Sequence, residues 1–85
     1  MTNKLGIVYK RGHVLVIRCA VDRRKIRKYH GDRFYYTVVN IKNKKHCHLW
    51  QEEFKAAVSI CNCAYKKQVP DKYPEWMTER IRRIM

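Results

Sequence analysis

Apolar residues change their spacing once along this chain, close to residue 50. Before that point, Leu5-Gly6-Ile7-Val8-Tyr9-Lys10, the stretch 13–20 and the stretch 33–41 are short β-branched or aromatic runs parted by turn residues, which predicts strands. Arg11-Gly12 reads as a tight turn, with Gly supplying a positive φ. The run His13-Val14-Leu15-Val16-Ile17-Arg18-Cys19-Ala20 is apolar on both faces for most of its length, as a central strand is. Residues 33–41 alternate: Phe34, Tyr36 and Val38 share one face, and Tyr35, Thr37, Val39 and Ile41 the other. Val21-Asp22-Arg23 and His30-Gly31-Asp32 are turn signals. Residues 24–29, nearly all cations, are expected on a sheet edge or an exposed hairpin arm. Lys42-Asn43-Lys44-Lys45 is a polar turn before a short last strand, His46-Cys47-His48-Leu49.

Beyond it the period lengthens. Trp50, Phe54, Ala57, Val58, Cys61 and Tyr65 recur at three- and four-residue steps, predicting an amphipathic helix over 51–68. Glu52 and Glu53 fall in its expected first turn and Lys66 and Lys67 in its last, both favourable to the helix dipole. Pro70 ends it, and Pro74 suits the first turn of a second helix running to Ile84. Trp76, Met77, Ile81 and Ile84 form its apolar stripe, which either docks on the body of the domain or makes a dimer contact. The fold class is α+β: an antiparallel meander of three to five strands, one packed helix and a short C-terminal helix. The expected organisation is a single domain, 1–85, with a basic sheet over 1–49 and helices over 50–68 and 74–84.

Charge changes the picture. The net charge is +13, yet 46% of residues are hydrophobic and 12% aromatic, so the chain folds rather than remaining a charged coil. Residues 1–48 hold thirteen Lys and Arg against two Asp, a net of +11. Residues 49–85 hold seven against five acids, a net of +2. The excess therefore belongs to the expected sheet, and a field so lopsided draws in a polyanion. A core this small makes a homodimer a reasonable expectation. No apolar run approaches the ~20 residues of a membrane span and no signal-peptide pattern opens the chain. A cytoplasmic protein without membrane contact is expected, its four cysteines reduced.

Residues 22–36 concentrate these traits: six cations, three tyrosines, a phenylalanine and two acids. Cations hold phosphates, and rings beside them stack on bases, so the expected partner is RNA. The candidate phosphate contacts are Arg23, Arg24, Lys25, Arg27, Lys28, Arg33, Lys42, Lys44 and Lys45, with Tyr29 and Tyr35 as candidate stacking rings. Phe34, Tyr36 and Trp50 are assigned to the core. No basic recognition helix is present, and the aromatic strand signature of the RNA-recognition motif is absent. A sheet inserted in a DNA major groove is the alternative. Stacking rings among cations suit unpaired bases better. A protein-only contact with an acidic surface is a further alternative.

The histidines and cysteines offer other chemistry. His46 and His48 share a strand face with Cys47 on the opposite one, and two thiolates at Cys61 and Cys63, one residue apart on a helix, do not converge on a tetrahedral metal. Buried thiols are expected, with no metal or other cofactor. A metal-independent ribonuclease would use histidines as base and acid, His46 or His48 foremost. No spacing predicts such a pair, so no catalytic residue is assigned.

In its length, its charge and the basic-aromatic segment from Arg23 to Tyr36, the chain resembles the small basic early proteins of T-even-type phages, in particular the phage inhibitors of ToxN-type ribonuclease toxins. The likeness is one of size and character and carries no functional residue with it. It implies an RNA-binding antagonist of a host toxin–antitoxin defence, acting in a toxin–RNA–inhibitor complex in the bacterial cytoplasm. Charge agrees with that implication. A cationic protein cannot plug a cationic RNA groove directly, whereas RNA neutralises both.

Overall fold

The computed structural model describes residues 5–25, 27–28 and 31–85. Strands β1 (Gly6–Arg11), β2 (Val14–Ala20), β3 (Phe34–Asn40) and β4 (Lys45–Leu49) form one antiparallel sheet in chain order, followed by helices α1 (Phe54–Lys66) and α2 (Glu75–Ile84). The α+β meander expected from the hydrophobic pattern is the observed fold.

Alternation decides which face the helices cover. Val16 pairs with Val38 and Val38 with Cys47, so one row of small apolar side chains crosses three strands. Val14, Tyr36, Asn40 and Leu49 are buried on the same side, facing Ala57, Ile60, Cys61 and Ala64 of α1 and Met77, Ile81 and Ile84 of α2. A slip of one residue in any strand would turn this set outward, so burial fixes the register.

Four local expectations are corrected. Of the stretch 24–29, expected on a sheet edge or an exposed hairpin arm, Arg24 and Lys25 instead continue the turn at Arg23 as a short 3₁₀ helix, while Ile26 and Tyr29 lie outside the described residues. The Asp22 carboxylate accepts the Arg24 backbone N–H at 3.0 Å, a local bond that competes with strand pairing in a run with little to bury. In α1, Trp50 lies before the helix and Tyr65 is exposed, while Ile60 and Ala64 are buried, so the buried stripe is rotated from the one expected. Glu53 is its N-cap and Glu52 lies outside it, so neither acid occupies the first turn. In α2, Thr78 takes the buried place expected of Trp76.

The stripe of α2 docks on this same domain, against α1 and β4. Its end is held by polar bonds: the Ile84 carbonyl accepts from Asn40 Nδ2 at 2.9 Å and from Asn43 Nδ2 at 3.2 Å. Asn40 is buried, and its Oδ1 accepts the Lys42 N–H at 3.0 Å, so burying this amide leaves nothing unsatisfied.

Candidate nucleic-acid interface

Both helices cover one face of the sheet, and the opposite face holds the other members of each alternation. The register aligns Lys10, Leu15, Val39 and His46 in one row and Ile7, Ile17, Thr37 and His48 in the next. Cys19 and Tyr35 follow toward the β2–β3 loop. The Tyr35 and His48 rings meet edge to face at 5.5 Å, and His46 and His48 lie 5.1 Å apart. Thr37 Oγ1 shares a hydrogen bond with His48 Nδ1 at 3.0 Å.

Although His48 is exposed, neighbouring groups strip some of its water, and partial burial lowers its pKa; the nearby His46 adds to the effect. The row through this ring, Ile7, Ile17, Thr37 and His48, carries no Lys or Arg, and Lys10 stands in the row beside it. A strand of seven residues spans roughly 20 Å, so the charge sits about that far apart at the two ends.

Arg23, Arg24, Lys25, Arg27, Lys28 and Arg33 are exposed at the end bearing the β2–β3 loop. Lys42, Lys44 and Lys45 are exposed at the opposite end, where the β3–β4 turn abuts the β1–β2 turn through the Ile41 N–H to His13 carbonyl bond at 2.9 Å. The sequence candidates are therefore two cationic ends separated by a ring-bearing face, not one patch. Tyr35 stands on that face. Tyr29 lies outside the described residues.

Of the rings assigned to the core, Tyr36 is buried and Phe34 half-buried against it. Arg18 stacks on both, its guanidinium 5.1 Å from the Phe34 ring and 5.4 Å from that of Tyr36, and it donates to Tyr36 Oη at 3.0 Å. Trp50 is the correction: it is 41% exposed, one residue past the end of β4 at Leu49.

Trp50 helps to line a cleft of about 490 Å³ at the β2–β3 end, together with Asp22, Lys25, Asp32, Tyr35, His48 and Arg80. Gln51 braces its rim. Its Oε1 accepts the N–H groups of Arg33 at 2.8 Å and Phe34 at 3.3 Å, while its own N–H donates to Asp32 Oδ2 at 3.2 Å. Arg80 reaches over from α2, donating to the carbonyls of His48 at 3.3 Å and Trp76 at 3.1 Å and stacking on the Trp76 ring at 5.3 Å. Sequence reasoning had the outward parity of His48 but not its company. Asp22, Asp32, Trp50 and Arg80 come from four separate segments.

The cysteines are free thiols. Burial pushes the pKa of Cys47 and of Cys61 up to about 11, and Cys61 Sγ donates to the Val14 carbonyl at 3.3 Å, so both stay protonated and unreactive. Cys19 alone is half-exposed, on the open face.

Comparison with protein-family models, curated proteins and solved structures finds no match to this chain. The class that fold and surface define is a small basic α+β domain: a four-stranded meander backed on one face by two helices, with rings on the other face. None of its helices, among the described residues, is long and apolar enough to cross a membrane.

Proposed function

We infer that this domain binds RNA with little sequence preference, laying an unpaired strand across the open face of the sheet. One observation carries the reading: the face away from the helices sets tyrosine and histidine rings and β-branched side chains between two cationic ends. Phosphates are held at the ends, where cations are free to approach them, and bases lie on the rings and aliphatic rows between. A duplex would offer phosphates to both ends but no base face to the middle. This favours single strands over the DNA-groove alternative.

Cys19 gives a direct test, since it is the one thiol on that face. Iodoacetamide is expected to alkylate Cys19 in the free protein and to leave Cys47, Cys61 and Cys63 unmodified. Oligouridine is expected to slow the Cys19 reaction, while duplex DNA at equal phosphate concentration slows it less. Unchanged alkylation under saturating RNA would place the nucleic acid elsewhere. Protection that rises with protein concentration in the absence of RNA would mean that a second copy covers the face.

The biological role that suits this surface best is inhibition of a host ribonuclease toxin by a phage-encoded protein, with RNA joining two cationic partners. Its support is the resemblance in size and charge and the excess of +13. Mixed with such a toxin, the protein is expected to co-elute with it only while RNA is intact. A complex that survives complete nuclease digestion would rule out bridging.

A further inference from the structure

The cleft at the β2–β3 end differs from the rest of the surface in one respect. Two of the chain's seven acids, Asp22 and Asp32, line it, at an end otherwise crowded with cations. A carboxylate there repels a phosphate chain, so mere backbone capture does not explain the lining. Each carboxylate is held by one oxygen: Asp22 Oδ1 accepts from the Arg24 N–H and Asp32 Oδ2 from the Gln51 N–H. The second oxygen of each has no hydrogen-bond partner among the described residues. An ionised carboxylate only accepts, so what it selects is a ligand that donates.

The other walls supply what the rest of a nucleotide needs. Tyr35, His48 and Trp50 present rings. Lys25 and Arg80 present cations, and Arg80 is fixed by its two carbonyl bonds and by the Trp76 ring. A volume of about 490 Å³ lies within the ~300–1,000 Å³ of pockets that take small ligands, and suits one mononucleotide.

We propose that this cleft receives a single unpaired nucleotide of the bound strand, its base against Tyr35 and Trp50, its amino edge toward Asp22 and Asp32, and its phosphate toward Lys25 and Arg80. The proposal rests on the RNA-binding reading and adds a local preference to it. Guanine carries N1–H and N2–H side by side and meets a carboxylate with two parallel donors. Adenine and cytosine offer an amino group next to an acceptor. Uracil offers one imino hydrogen flanked by two carbonyls that a carboxylate repels. The order expected is guanine first, then cytosine and adenine, then uracil. Elsewhere on the face, stacking treats all bases alike.

The test is the affinity, by fluorescence anisotropy at fixed salt, of an oligouridine of about eight nucleotides and of the same RNA with one central G, C or A. The single G is expected to tighten binding roughly tenfold over oligouridine. The double variant D22N/D32N keeps an acceptor for each loop bond. It is expected to abolish that gain and to leave oligouridine bound at least as tightly as before. Equal affinity of the wild-type protein for all four RNAs overturns the cleft assignment while leaving RNA binding intact. Failure to bind any of them overturns both. Discrimination that persists undiminished in a folded D22N/D32N protein also overturns the assignment. The wild-type comparison needs no variant, so a variant that does not fold leaves the proposal decidable.

Discussion

Replacing Arg24, Arg27 and Lys28 together by Glu is expected to weaken RNA binding at moderate salt by at least about a hundredfold and to flatten the salt dependence by about two log–log units. Each single-strand phosphate contact contributes roughly 0.7 to that slope, and three are removed. Three like charges then repel the same phosphates, which adds to the loss. The fold should survive. All three side chains are exposed in the β2–β3 loop, and the Arg24 pair with Asp22, at 3.9 Å and largely in solvent, contributes little. A thermal melt like that of the parent protein shows that stability is intact. Isothermal titration across several salt concentrations then measures the slope. A slope and affinity unchanged in the triple variant would mean that this end of the sheet meets no phosphate.

Glutamate at Lys42, Lys44 and Lys45 extends the same measurement to the other end. If the strand crosses the sheet, this set also lowers the slope. If only one end matters, the RNA stays at that end and the open face between them is not its path. The two sets are about 20 Å apart by strand length, beyond a Debye length of ~8 Å at physiological salt, so their effects should add.

Ile60→Ala is expected to cost about 2–5 kcal/mol, the largest stability loss of any single change considered. Ile60 is fully buried on the face of α1 that covers the sheet, among the largest side chains with no solvent contact. A domain of 85 residues is stabilised by only about 4–13 kcal/mol, so this one cavity removes a large share. Ile60→Val deletes a single methylene and is expected to cost about 0.5–1.5 kcal/mol. Urea denaturation with equal m-values measures both. A loss under about 1 kcal/mol for Ile60→Ala would contradict the packing of α1 against β2 and β3. RNA binding by the Ala variant, measured where it is still folded, should match that of the parent, because Ile60 lies on the opposite side of the sheet from the open face.

Much of this was legible from residue order. The spacing of two in β3 placed Tyr36 inside and Tyr35 outside, because neighbours on a pleated strand must point to opposite faces. The same parity placed Cys47 inward and His46 and His48 outward in β4. Helix positions were legible too, and so was the burial of Ala57 and Cys61 in α1 and of Met77, Ile81 and Ile84 in α2, but each stripe departs from expectation at its large rings. Spacing groups Trp50 and Tyr65 with the buried face of α1 and Trp76 with that of α2, since large apolar residues tend to seek the core, yet all three are exposed. Helix ends and the turn of a helix about its axis depend on what it packs against. Periodicity does not record that partner. Arg24 and Lys25 depart from the expected edge or arm because an Asp22 side-chain bond holds them in a turn, which a tally of cations does not reveal.

The chain's own order determined an α+β meander, an excess of positive charge on the sheet half, and which side of each strand faces the helices, since these follow from local period and composition. Only the tertiary structure decided that the cations form two separate ends, that Trp50 is exposed, and that Asp22, Asp32, His48 and Arg80 border one cleft. Those relations join residues up to tens of positions apart. They are set by strand order, register and the docking of α2 on β4, which burial of the whole core selects at once and no local pattern specifies.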